Sequence, residues 1–193
     1  MSSLTPAPLT AWAENLEKNE SLDRVVARVR PFGDWFVAEP TRRDLLRGAW
    51  LGHAVHPTIT DVPIGLWTAA VTLDLLGGKG ARQAAQRLIG LGVLAAAPTA
   101  WTGWAEWSGA PAEQQRVGVV HVAAFGLTAT GFIASWLARR RGEHARGVTL
   151  GLASAAALVA TGFLGGHLSA IRKREGAAPD RAADAAAGSR DVP

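Results

Sequence analysis

Histidines are the residues of this chain best suited to chemistry, and four of them stand near the ends of long apolar segments. His53 and His56 lie three positions apart in AWLGHAVHPTITDVPIGLW, residues 49–67. His121 and His167 lie in two later apolar segments, each five residues from a flanking arginine. Imidazole is a usual protein ligand for haem iron, zinc and copper. These four side chains are therefore the candidate ligands of a cofactor or metal.

Four apolar segments must position these histidines. They cover residues 62–78, 88–107, 117–138 and 147–171. A hydrocarbon core of about 30 Å takes roughly 20 helical residues, a length that the last three segments reach and that the first reaches with its preceding turn. A soluble bundle of buried helices is the alternative, but the last two segments carry no charge, whereas a soluble helix normally keeps a polar stripe. The sequence therefore predicts an all-α fold, a four-helix transmembrane bundle.

The rest of the chain is more polar. Residues 10–29 have a helical apolar pattern beside acidic positions, which Pro31 is expected to end, and Thr41 and Asp44 have the spacing of a capping box. The end of the chain is rich in Ala, Asp and Arg and lacks a core-forming pattern. The predicted division is amphipathic surface helices at 1–48, the membrane domain at 49–174 and a disordered tail at 175–193.

Composition excludes several classes of site. The chain has no cysteine, which rules out disulfides, iron–sulfur ligation and thiol catalysis in this polypeptide. Its net charge of +4 comes largely from Arg and Lys beside the apolar segments, where anionic lipid headgroups are the simplest partner. We expect no nucleic-acid binding, because no basic face with interleaved aromatics is present. No nucleophile elbow, phosphate loop or HExxH is present, so an enzyme with its own substrate is not favoured.

Four crossings place both termini on one side of the membrane, called side A here. Flanking Lys and Arg are equally numerous on the two sides, so they do not set the orientation. We expect a multi-pass protein of the cell (inner) membrane with its termini in the cytoplasm, since the polar N-terminal region then need not cross. In this topology the four histidines all lie near side A. Ionisable groups inside membranes are costly and tend to mark function, so this convergence predicts a shared site.

Three further residues are expected near that site. Asp61 could orient a ligand imidazole or cap the first transmembrane helix. Trp101 and Trp104, at the side A end of the second apolar segment, approach the same layer, although an aromatic belt at the membrane surface explains tryptophans there equally well. Asp74 lies near the opposite side, where it is expected to pair with a basic residue of the following loop.

Three segments of the chain resemble the bacterial four-helix membrane family called domain of unknown function 2231: WLGHAVHPTITDVPIGLWTAAVTLDLLG, VGVVHVAAFGLTATGFIASWLARRRG and GFLGGHLS. The family's GHPLHP motif appears as GHAVHP at 52–57, its VHA is matched at 120–122 and its GGHL at 165–168. Some relatives are joined to a Rieske-type iron–sulfur domain, which implies that any iron–sulfur partner of this cysteine-free chain is a separate polypeptide. The resemblance implies the fold and no established activity.

The first functional hypothesis is a haem b protein of membrane electron transfer. Two of His56, His121 and His167 would ligate the iron axially between helices, since bundle interiors suit cofactors held from facing helices. Gly165 and Gly166, next to His167, would admit a flat macrocycle. The protein would pass electrons between a redox partner and the quinone pool.

Two alternatives remain open. A non-haem site for zinc, copper or iron would use all four candidate histidines, which are His53, His56, His121 and His167. A scaffold or assembly subunit without a cofactor would use the histidines only to bond backbone carbonyls, and substitutions of them would then alter stability alone.

Overall fold

The computed structural model describes residues 8–188, with side chains through Ile171. Within this range the chain forms α-helices and short 3-10 turns and no strand. The seven α-helices are α1 (Pro8–Lys18), α2 (Asp23–Val37), α3 (Pro40–Arg47), α4 (Val55–Leu76), α5 (Arg82–Trp107), α6 (Ala112–Arg140) and α7 (His144–Gly188).

The four long helices confirm the predicted architecture. By length and composition, α4 to α7 are each apolar enough to cross a membrane, over Val55–Leu76, Lys79–Trp107, Ala112–Arg140 and His144–Ile171. The backbone of α7 continues as helix through Gly188, into the tail for which composition predicts disorder. Residues 189–193 lie outside the described range, and the predicted division into three regions stays a prediction.

The first spanning helix begins earlier than its apolar run indicates, at Val55 and not near residue 62. Pro57 is accommodated because it is the third residue of α4, where a backbone N–H has no intrahelical acceptor. The cap residue is Ala54, without a side-chain hydrogen bond. The prediction that Asp61 caps this helix is therefore wrong, since Asp61 lies almost two turns inside it.

Two details of the N-terminal region also differ from expectation. Pro31 does not end a helix but lies exposed inside α2, which continues to Val37. The cap of α3 is Glu39, whose carboxylate accepts hydrogen bonds from the backbone N–H groups of Thr41 and Arg42. These two bonds hold the pKa of Glu39 below its usual value. The predicted capping box at Thr41 is wrong because the helix begins earlier. Pro40 occupies the first helical position, so Thr41 is already the second residue of α3.

The three short helices pack across the side A end of the bundle, as the predicted surface helices should. Helix α1 contacts α6 and α7, α2 contacts α5 and α6, and α3 contacts α5. The Arg116 guanidinium of α6 donates two hydrogen bonds to the Asp23 carboxylate of α2, at 2.7 and 2.8 Å. These bonds hold the pKa of Asp23 below its usual value. Several apolar side chains of these helices and of the turn after α3 remain exposed, namely Leu9, Trp12, Phe32, Trp35, Leu45 and Trp50.

The bundle is built from two helical hairpins, α4 with α5 and α6 with α7. Helices α4 and α6 run in the same direction and meet across the centre. The Trp67 ring of α4 stacks on the Phe132 ring of α6, with centroids 4.4 Å apart, and both side chains are fully buried. The partners of this stack are 65 residues apart in the chain.

A buried ion pair repeats this spacing nearer side B. The Arg139 guanidinium donates to both carboxylate oxygens of Asp74, at 2.8 and 2.5 Å, and these residues are also 65 apart. Both side chains are almost completely buried. The expectation that Asp74 pairs within its own loop is therefore wrong; its partner comes from the facing hairpin. The two hairpins are thus related as an approximate repeat, with matched positions meeting at the bundle axis.

Candidate functional site

A chamber of about 320 Å³ lies between the four long helices towards side A. We call it the histidine chamber, because the rings of His56 and His121 both line it. These two histidines are again 65 residues apart, so they are a third matched pair of the repeat. Along the axis of α4, His56 lies roughly 16 Å from Trp67, at 1.5 Å per residue, and the chamber extends between them because Trp67 also lines it.

The His56 ring of α4 is held against α5. Its Nδ1 lies 2.9 Å from the backbone oxygen of Thr99. One turn further along α5, Gly103 gives the ring its space, because a Cβ there would lie only 3.0 Å from Cε1 of His56. The Thr99 hydroxyl donates to the carbonyl of Ala95, so it does not compete for the imidazole.

The His121 ring of α6 is held against α7 in the same way. Its Nδ1 lies 3.1 Å from the backbone oxygen of Thr161. A Cβ at Gly165, one turn further, would lie 3.3 Å from Cε1 of His121. The Thr161 hydroxyl donates to the carbonyl of Ala157. Each hairpin therefore supplies one histidine, one threonine carbonyl and one glycine in the same arrangement.

This hydrogen bonding determines the tautomer of both rings. A carbonyl oxygen only accepts, so Nδ1 of each imidazole must carry the proton and donate it. The lone pair of each neutral ring is then on Nε2. Metal-binding histidines commonly donate their second N–H to a backbone carbonyl, which fixes the ring and raises its basicity. Two imidazoles held by Nδ1 therefore line the chamber, and Nε2 is the nitrogen of each that could ligate a metal.

The threonine and glycine positions were missed by the sequence analysis, which named Gly165 but none of the others. A signal for them exists in the sequence. Thr99-x-x-x-Gly103 in α5 is repeated as Thr161-x-x-x-Gly165 in α7, and each accompanies a histidine of the preceding helix. Without the structure, such a pattern is indistinguishable from the small residues that ordinarily line helix contacts in membranes.

The other two candidate histidines are not brought to the chamber. His53 is exposed in the turn before α4. His167 is buried but turned towards α1, where its Nε2 lies 2.6 Å from Oε1 of Glu17. Its ring stacks against Phe163. His167 therefore links the N-terminal helices to α7, and of the four candidate histidines His56 and His121 line the chamber.

Of the three predicted supporting residues, Asp61, Trp101 and Trp104, only Asp61 lines the chamber. Asp61 lines the chamber and is exposed at its edge. Trp101 is about half exposed and faces away from the bundle, as an aromatic-belt residue would. Trp104 packs edge-to-face with Phe32 and Trp107, with ring centroids 5.1 and 5.4 Å away, in the contact between α2 and α5.

Other polar side chains line the chamber as well. Glu106, Gln114 and Ser169 lie towards side A and Thr60 lies one turn beyond His56, while Trp67, Phe125 and Leu158 form the apolar wall. Among the described residues, no three His, Cys, Asp or Glu side chains are grouped as a metal site requires. The two imidazoles are therefore the chamber's candidate ligands.

These features define an integral membrane protein whose four-helix bundle encloses a chamber with two inward imidazoles. Residues 52–174 match the model of the family described as "Predicted membrane protein (DUF2231)". The chain belongs to that family, as its histidine motifs indicate. No curated protein and no solved structure matches it.

Proposed function

We propose that the protein is a haem b protein of membrane electron transfer, with the iron held axially by His56 and His121. The observation that carries the proposal is the matched pair itself. Each imidazole comes from a different hairpin, bonds through Nδ1 to a threonine carbonyl and lines the same chamber. Two imidazoles fixed in that tautomer on opposite hairpins are a suitable ligand pair for a porphyrin iron.

The donor set favours haem over a non-haem metal. A structural zinc site takes four protein ligands and a catalytic one takes three. A porphyrin supplies four nitrogens of its own, so two histidines suffice. With both axial positions occupied, haem would supply one-electron chemistry at iron and leave no position for a substrate.

The chain's own residues would bind and orient the group. The carbonyls of Thr99 and Thr161 hold the two rings, and Gly103 and Gly165 let each ring lie close to its neighbouring helix. Trp67, below the chamber, is locked by its stack on Phe132 and by a hydrogen bond from its Nε1 to the Ile89 carbonyl. This rigid wall would limit water on the side away from side A.

Spectroscopy of the purified protein tests the proposal. Protein supplemented with haem in detergent should give a Soret band, and His56→Ala and His121→Ala should each change the axial ligation. His167→Ala is the matched control, because this buried histidine lies outside the chamber. Absence of a Soret band in the wild-type protein, or loss of it in His167→Ala alone, would refute the proposal. If the chamber substitutions alter only stability, the protein is a cofactor-free scaffold.

The redox partners are part of the same proposal. An electron-transfer subunit of this kind would exchange electrons with a quinone or with a separate iron–sulfur protein, since the chain itself has no cysteine. We expect residence in the cell (inner) membrane with both termini in the cytoplasm.

A further inference from the structure

The wall of the histidine chamber is incomplete between α4 and α7. Five residues that line the chamber are exposed: Pro57 and Asp61 of α4, and Gly162, Gly166 and Ser169 of α7. Exposed residues of two neighbouring helices at the border of one chamber indicate an opening between those helices. We call this opening the α4–α7 gap.

The two glycines leave the gap open. No atom lies within 4 Å of the position that a Cβ would take at Gly162 or Gly166. Helices α4 and α7 also share fewer contacts than α5 and α6, which form the opposite seam. At that opposite side the space beside Gly118 is filled by the Trp107 ring. The chamber is therefore closed on one side and open on the other.

The position of Asp61 shows that the gap has a polar edge inside the membrane. This residue is six positions into α4, which at 1.5 Å per residue places it about 9 Å below the start of the helix. Within the part of the chain whose side chains are described, its carboxyl makes no hydrogen bond or ion pair. Acyl chains cannot solvate a carboxyl group. At this depth the carboxyl needs water or a polar group of a bound ligand as its neighbour, and the gap and the chamber have room for either.

We propose that the chamber is filled sideways from the bilayer, through the α4–α7 gap, by a flat lipid-soluble ligand. The identity of that ligand as membrane-dissolved haem rests on the proposed function. The route itself rests only on the shape of the bundle. It implies that the ligand reaches the two imidazoles without passing the N-terminal helices, which cover the side A end.

The absence of cysteine permits a test of the route without haem. Leu158→Cys places a single thiol on the chamber wall. In phosphatidylcholine vesicles, N-ethylmaleimide should label it, and adding Gly162→Leu should slow labelling by about tenfold, because a leucine side chain fills the gap to close packing. Gly126→Leu is the matched control: Gly126 is an exposed helical glycine with open space beside it, and it does not line the chamber.

Haem loading provides the second measurement. Haem dissolved in the vesicles should load the Gly162→Leu protein about tenfold more slowly than the Gly126→Leu protein, and Gly166→Leu should repeat the effect if Gly162→Leu folds poorly. Equal thiol labelling in the Gly162→Leu and Gly126→Leu backgrounds would overturn the route. If labelling is blocked as expected while no variant binds haem, the route stands and the proposed cofactor is wrong.

Discussion

Replacing Gly103 by alanine is the sharpest test of how the His56 imidazole is held. The new methyl group would lie 3.0 Å from Cε1 of His56. Ordinary carbon contacts are about 3.5–4.0 Å, so the ring must give by a few tenths of an ångström. The ring nitrogen lies 2.9 Å from the Thr99 oxygen, and such a movement lengthens this hydrogen bond towards the upper limit of normal distances.

The expected loss follows from that weakened bond. A typical hydrogen bond contributes about 1 kcal/mol, so the affinity for haem should fall by up to about fivefold. The equivalent change at Gly165 should cost less, about twofold, because its methyl group would lie 3.3 Å from His121 and force a smaller shift. Gly126→Ala should leave the affinity unchanged, since its side is open.

Titration of the three purified variants with haem, followed by the Soret band, measures this order directly. Circular dichroism verifies that each variant is folded. Equal affinities for all three, or the largest loss in Gly126→Ala, would show that the glycines do not position the imidazoles and would refute the account of the chamber given above.

Two further predictions concern the ends of the bundle. Asp74→Asn or Arg139→Gln alone should destabilise the protein by about 3–5 kcal/mol in a steric-trapping or detergent-unfolding measurement, because each change leaves one buried charge unpaired. The double variant should lose clearly less stability than the sum of the two single variants. Additive losses would contradict this. The pKa of Asp23 is lowered by its hydrogen bonds from Arg116. The contribution of Asp23 to docking of α2 is therefore complete above the ordinary pKa of 3.8, and it is lost as the pH falls through the lower pKa of the folded protein. Hydrogen exchange in α2 should show this loss in the wild-type protein and not in Asp23→Asn.

The architecture was predictable because its signal is local. Long uncharged runs determine transmembrane helices almost by themselves, and the helix starts were placed wrongly only where polar residues precede the apolar run, as at Val55. The continuation of α2 past Pro31 was not predictable in this way. The free-energy cost of Pro31 inside a helix is offset by packing of α2 on α5 and α6, and no local sequence pattern indicates that contact.

The site was predictable in part. Hydropathy and topology placed four histidines in one layer, but depth along a helix does not specify direction around it. His121 and His167 lie at similar depths, and yet one faces the chamber while the other faces Glu17. The partner of His167 lies 150 residues away in a surface helix, and no spacing in the sequence indicates that contact.

The Asp74–Arg139 layer also explains why the bundle needs two unlike hairpins. A homodimer of either half would oppose two carboxylates or two guanidiniums across its twofold axis, and like charges buried together are strongly unfavourable. Divergence of the halves allows opposite charges to meet there, just as it allows an indole to lie on a phenyl ring. Assembly from identical copies is thereby disfavoured, and correct pairing of the halves is encoded within the chain.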